Sequence, residues 1–216
     1  IQLWFVVLSQ RCRSGDETNI VLRSRDFSYE ISPDGKNISF IDRSSGINYL
    51  KKDEDSWCAM IRHNGTSGNV TKVKLKGNHL SLEFGTDEIS ADILIEKGKN
   101  LVRFTVTEVK GNPESLTFLN IPLSLEGMPY EPFSACALSM NLYTHVRQIP
   151  ALQTHLWASC YKRFGFKDAA VSLIGISTDK MLPVIREVIT EAKDIPFSDK
   201  GGAWALMQKE GYGSYL

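Results

Sequence analysis

The side chains best suited to moving protons near neutral pH are the four histidines, His63, His79, His145 and His155. They are scattered, and none stands in the His-x-x-x-His spacing that puts two imidazoles on one helical face for a metal. His63 and His79 flank turns and are expected in solvent. His145 and His155 lie one loop apart around Pro150, where a sheet edge could bring them together. Other chemistry asks for a pair of carboxylates on either side of one bond. Asp34, Asp53, Glu54, Asp55, Asp87 and Glu88 sit in turns or loops, and Glu83 and Asp92 alternate with apolar neighbours, so these two should face outward. The sequence nominates no catalytic pair.

Nucleophile and phosphate templates also fail. No Gly-x-Ser-x-Gly elbow presents a serine for acyl transfer; the nearest approach, Gly175-Ile-Ser177, reads as the turn into a helix. Neither glycine-rich fingerprint for nucleotides is present, so no cofactor is implied. Cys12, Cys58, Cys136 and Cys160 lack the close spacing of a zinc knuckle or redox pair, and no metal is expected. Cys58, Cys136 and Cys160 sit among apolar residues and should be buried thiols acting as small hydrophobes.

Aromatic rings offer a different chemistry, since a Trp or Tyr face gives apolar area with a polar handle, suited to the C–H face of a sugar. Trp57 and Trp157 begin strands, so they read first as core and second as an exposed platform. Trp204, Tyr212 and Tyr215 lie in a Gly-rich tail, where they would pack against a following domain or line a site shared with it.

The charge balance narrows the partners. With 25 Lys+Arg against 25 Asp+Glu the 216-residue chain lacks the basic excess of a nucleic-acid binder. The apolar run of residues 3–8 is far short of the roughly 20 needed to span a bilayer, so no membrane span is expected. It fits either a first buried strand or the remnant of a secretory signal, and the latter would favour a secreted or periplasmic location. Asn37-Ile-Ser, Asn64-Gly-Thr and Asn69-Val-Thr match the glycosylation sequon, which matters only in a secreted eukaryotic chain. The chain begins with Ile1 and stops at Leu216 after a Gly/aromatic run, as a piece of something longer would.

The elements that must hold these side chains are mostly strands. Phe27, Tyr29 and Ile31 alternate on one face, Pro33-Asp34-Gly35 supplies a turn, and residues 38–41 return. Residues 47–50 and 57–61 follow as strands; then Val73 and Leu75 answer Leu80 and Leu82 across Gly77-Asn78, a hairpin with period two on both arms. Ile89, Ala91, Ile93 and Ile95 face Val102, Phe104 and Val106 across another polar turn. Further strands are expected over residues 116–125, 135–143 and 156–161, and the near-continuous apolar run 169–176 should be buried on both faces. Met181, Leu182, Ile185, Val188 and Ile189 recur at helical spacing and predict one substantial helix over 179–192, with Thr178 as its N-cap. Regular short strands joined by tight polar turns predict an antiparallel β-sandwich.

Three segments carry a resemblance. Residues 20–46, with Pro33-Asp34-Gly35 at the turn, resemble the first hairpin of galactose-mutarotase-like domains, the β-supersandwich found at the N-terminus of many multidomain glycoside hydrolases. Leu116-Thr-Phe-Leu-Asn-Ile-Pro-Leu-Ser-Leu, and residues 160–206 through Gly201-Gly202-Ala-Trp204, look like the region leading into the barrel of α-galactosidase- and α-glucosidase-like enzymes. The resemblance implies a mainly β, antiparallel supersandwich with one helix near the C-terminus. It divides the chain into an N-terminal segment 1–18, a sandwich 19–193 and a linker 194–216 toward a catalytic barrel. Barrel carboxylates lie at strand ends, so the resemblance places catalytic residues beyond Leu216 and leaves this part non-catalytic. The partners it implies are carbohydrate and the downstream domain of the same chain. The mutarotases' own His and Glu motif does not align with His145, His155 or any Glu here. The alternatives are a stand-alone carbohydrate-binding module, and a sugar epimerase or lyase-like sandwich.

Overall fold

The computed structural model describes residues 18–52, 55–85, 88–147 and 154–192. Cys12, Asp53, Glu54, Asp87, Pro150, Trp204, Tyr212, Tyr215 and the 194–216 linker fall outside the described residues, as does nearly all of the 1–18 segment. The chain is mainly β, 54% strand and 9% helical, in three antiparallel sheets with one α-helix near the C-terminus.

The first sheet is a meander of β1 (Ile20–Arg23), β2 (Phe27–Ile31) and β3 (Asn37–Asp42). Its β2–β3 turn is the Pro33-Asp34-Gly35 turn of the sequence. Gly35 has φ +86°, and a Cβ there would lie 2.3 Å from Val70 Cγ1, so only glycine fits both the backbone and the space. Next come β4 (Met60–His63) and β5 (Thr66–Asn69), folded across Asn64-Gly65, both at positive φ. Then β6 (Lys72–Lys76), β7 (His79–Glu83), β8 (Ser90–Lys97) and β9 (Leu101–Lys110) run as consecutive hairpins. The chain continues through β10 (Ser115–Pro122), β11 (Phe133–Ser139), β12 (His145–Arg147), β13 (His155–Tyr161) and β14 (Ala170–Ser177) into α1 (Thr178–Ile189).

These strands order as β11-β14-β9-β8-β7-β6 in a six-stranded sheet and β12-β13-β10-β4-β5 in a five-stranded one. Period-two patterning supplies the inner faces: Ala91, Ile93 and Ile95 on β8, Val102, Phe104 and Val106 on β9, Leu156, Ala158 and Cys160 on β13. All three sheets contribute to one hydrophobic core. As its apolar run predicts, β14 is buried on both faces: Val171 and Leu173 enter that core, while Ala170, Ile174 and Ile176 pack with Val184 and Val188 of α1 in a second layer. The edge strand β6 alternates Lys72, Lys74 and Lys76 with the core-facing Val73 and Leu75, and Val73 N–H donates to Pro33 O at 2.7 Å.

Four expectations need correction. The helix cap is Ser177 rather than Thr178; Thr178 is already helical, and its hydroxyl hydrogen-bonds Ser134 Oγ at 2.6 Å instead of the helix backbone. Residues 47–50 form no strand, only bridges Ile41↔Asn48 and Leu50↔Leu123. The cause is Asn48, whose Oδ1 accepts from both Phe40 N (2.9 Å) and Leu50 N (3.0 Å), replacing ladder bonds with a side chain. The strand placed over 57–61 starts at Met60, with Trp57 in an isolated bridge to Lys36. Finally, β5 and β12 were not expected at all, because short polar edge strands carry no apolar alternation.

Candidate functional site

The five-stranded sheet turns one face to the core and leaves the other open, and β10 sets what that open face displays. Its register shifts by a bulge between Thr117 and Leu119, so Leu116, Phe118, Leu119 and Ile121 are all buried. Ser115, Thr117 and Asn120 face the other way and line a groove of about 580 Å³. A strict alternation would have sent Asn120 to the side of Leu116. On one flank β13 contributes His155, Trp157, Ser159 and Tyr161; on the other, β4 contributes Met60 and Arg62. A neighbouring cavity of about 390 Å³ shares Met60, Asn120 and His155 and is walled by Trp57 and Lys51.

Asn120 is the junction of this surface. Its Nδ2 donates to the Trp57 carbonyl oxygen at 2.6 Å, and its Oδ1 lies 2.6 Å from His155 Nε2. A carbonyl oxygen can only accept, which fixes the amide orientation; Oδ1 therefore faces the imidazole, and His155 Nε2 must carry the hydrogen. Beneath, Asn37 donates to the Asn120 backbone carbonyl at 2.9 Å and to Ser56 Oγ at 2.8 Å, and accepts from the buried Tyr29 hydroxyl. Burial first, and the neighbouring Cys58 second, push the Tyr29 phenol well above its ordinary pKa, so it stays a donor.

Trp157 is half-buried, with its indole N–H donating to Thr117 Oγ1 at 2.9 Å, and Thr117 is in turn 2.8 Å from Ser159 Oγ. The His155 ring lies beside it at 6.1 Å between centroids, and the Arg147 guanidinium sits over the indole at 5.0 Å. Burial, then the positive charges of Arg147 and Lys51, hold His155 below its usual pKa. Trp57 is also half-buried: one side packs on the core, and Lys36 lies 5.8 Å from its ring. Neither tryptophan is wholly core, so both sequence candidates on described residues reach the same side of the molecule; Trp204, Tyr212 and Tyr215 lie outside the described residues.

The histidines do not meet. His145 stands opposite Ser159 and lies 3.3 Å from the Tyr161 hydroxyl, whereas His155 opens β13 and bonds Asn120. Four residues of strand separate the two positions, roughly 13 Å at the usual rise. Of the acids, Glu114 borders the groove but is tied to Arg62 (3.3 Å) and to Gly65 N–H (3.0 Å). Asp55 is tied to Lys36 (2.7 Å), Glu83 is exposed, and Asp92 accepts from Ser81. Among the described residues no cluster of His, Cys, Asp or Glu could hold a metal ion. The Cys58 and Cys160 thiols are buried and pushed up to about 12 by desolvation, so they stay protonated and unreactive at neutral pH. Cys136 is half-buried, with its sulfur 3.7 Å from Met181 Sδ. Among the described residues no helix is long and apolar enough to cross a membrane.

Sequence reading missed Asn120, Met60 and Thr117. The available signal was the adjacent pair Phe118-Leu119 between two alternating stretches, which marks a bulge and flips the face of everything after it.

Fold and surface together define an antiparallel β-sandwich with an aromatic and amide-lined groove on one sheet. No protein-family model matches the chain, and no curated protein matches it. Among solved structures, the 4-alpha-glucanotransferase of Thermococcus litoralis is similar at a TM-score of 0.35 and 9% identity. The match covers 76% of this chain and 36% of that one, so the chain spans about a third of that protein's length.

Proposed function

We propose that the chain is a non-catalytic, carbohydrate-associated β-sandwich domain of a glycoside hydrolase, with residues 19–193 as the sandwich and 194–216 as the linker toward a catalytic barrel. The observation that carries the carbohydrate part is the open groove. A half-exposed indole, Tyr161 and the Met60 thioether give apolar surface for ring C–H faces. Asn120 and Ser115 give hydrogen-bonding groups for hydroxyls at the same place, the mixture small polar ligands need. The absence of a free carboxylate pair among the described residues supports the non-catalytic half. A stand-alone carbohydrate-binding module uses the same groove and is the second reading, favoured by its openness.

Two measurements test this. Trp157→Ala should weaken binding of gluco- or galacto-oligosaccharides by about ten-fold or more, as loss of a central aromatic anchor does, while the melting temperature stays near that of the parent. Unchanged affinity in a folded variant counts against the groove. Purified chain should also turn over no aryl glycosides; turnover that survives further purification would overturn the non-catalytic reading.

A further inference from the structure

Resting on the carbohydrate reading, we infer that the His155 end of the groove takes the negative group of an acidic saccharide, a carboxylate or a sulfate ester, between Lys51, Arg147 and His155.

Arg62 is neutralised by Glu114 at 3.3 Å and Lys36 by Asp55 at 2.7 Å. Arg147 and Lys51 have no carboxylate partner among the described residues. Both nevertheless converge on one imidazole. Arg147 stands directly opposite Trp157 across the β12–β13 pair and over its indole, and the His155 ring is stacked beside that same indole. Lys51 lines the cavity that His155 also lines. Two like charges and a third basic group gathered with no anion among the described residues are mutually repulsive. An incoming anion relieves that repulsion, so the arrangement favours a negative ligand over a neutral one.

His155 can add its own charge to the same end. Its Nε2–H is committed to Asn120, so a second proton goes to Nδ1 and creates a new donor without disturbing the Asn120 bond. Among the described residues the elements around it supply no competing anion: β10 offers Asn120 and Thr117, β4 offers Met60 and the neutralised Arg62, and the segment before β4 offers Lys51, Trp57 and the neutralised Asp55. In the free protein burial and the two cations hold the imidazole neutral near pH 7. A bound anion reverses the second of these causes and draws a proton onto the ring, so binding of an acidic saccharide and protonation of His155 favour each other.

Calorimetric titration of the purified chain at low salt tests this with three probes: hexagalacturonate, the same hexasaccharide with its carboxyls reduced to alcohols, and a sulfated galactan hexasaccharide. At least one acidic probe should bind about ten-fold or more tighter than the reduced one, and the difference should shrink with added salt. Which acidic probe wins identifies the anion. Affinity for that probe should rise several-fold between about pH 7.5 and pH 5.5, and His155→Gln should abolish the rise while the salt dependence persists. Lys51→Gln should cut affinity for the acidic probe and spare the reduced one. Equal affinity for acidic and reduced hexasaccharides overturns this inference and leaves the carbohydrate reading standing. Failure of all three probes and of neutral gluco-oligosaccharides overturns both. A pH rise that survives in His155→Gln overturns the role given to the imidazole.

Discussion

Asn37→Leu should destabilise the fold by about 3 kcal/mol, out of proportion to the loss of one polar side chain. The side chain is almost fully buried and accepts from the Tyr29 hydroxyl while donating to Ser56 Oγ and to the Asn120 backbone carbonyl. A leucine of similar volume fills the space but leaves the Tyr29 hydroxyl stranded in the core at 1% exposure. The test is a cycle of urea midpoints for Asn37→Leu, Tyr29→Phe and the double variant. Because removing both partners costs less than orphaning one, the double variant should be less destabilised than the sum of the singles. Strict additivity would show that the hydroxyl finds another partner. The same geometry disposes of one sequon: both amide hydrogens of Asn37 are in use inside the fold, so this Asn-x-Ser triplet is a structural device.

Phe40→Ala should cost about 3–5 kcal/mol, the range for deleting a buried aromatic. Phe40 is fully buried on β3, stacked on Phe27 at 5.2 Å, 6.3 Å from the Tyr29 ring and edge-on to Phe133 at 6.4 Å. Phe133 belongs to β11 in the six-stranded sheet, so this ring ties the small meander to the main sandwich. Phe40→Leu keeps most of the volume and should cost well under half as much. Thermal or urea unfolding reads both, and a Phe40→Ala variant within about 1 kcal/mol of the parent would show that the meander folds independently of that contact.

Most of the architecture was legible because period two is a strong signal wherever one face is buried. The hairpins 72–83 and 90–110 and the doubly buried β14 are written in Val, Ile, Leu and Phe at fixed spacing. What escaped was polar or displaced. β5 reads Thr-Ser-Gly-Asn and pairs with β4 through backbone alone. The site was legible only in its aromatic members. Trp57 and Trp157 could be named from type, but not that Trp157 is aimed by Thr117 or that Asn120 shares its face, because both depend on the bulge after Thr117. Likewise His155 gains its meaning from an amide 35 residues away in sequence, a pairing no local pattern encodes.

The lysines of β6 bear on how copies of the molecule meet. An outer strand with unpaired amides invites another chain to extend the sheet. Here Pro33 already occupies the Val73 amide, and a second copy docking in antiparallel fashion would bring Lys72, Lys74 and Lys76 of each chain side by side. The repulsion and the lost hydration of those ammonium groups oppose the ladder that backbone pairing would otherwise build. A chain with no net charge to keep its copies apart in solution thus carries local protection at the β6 edge of its six-stranded sheet.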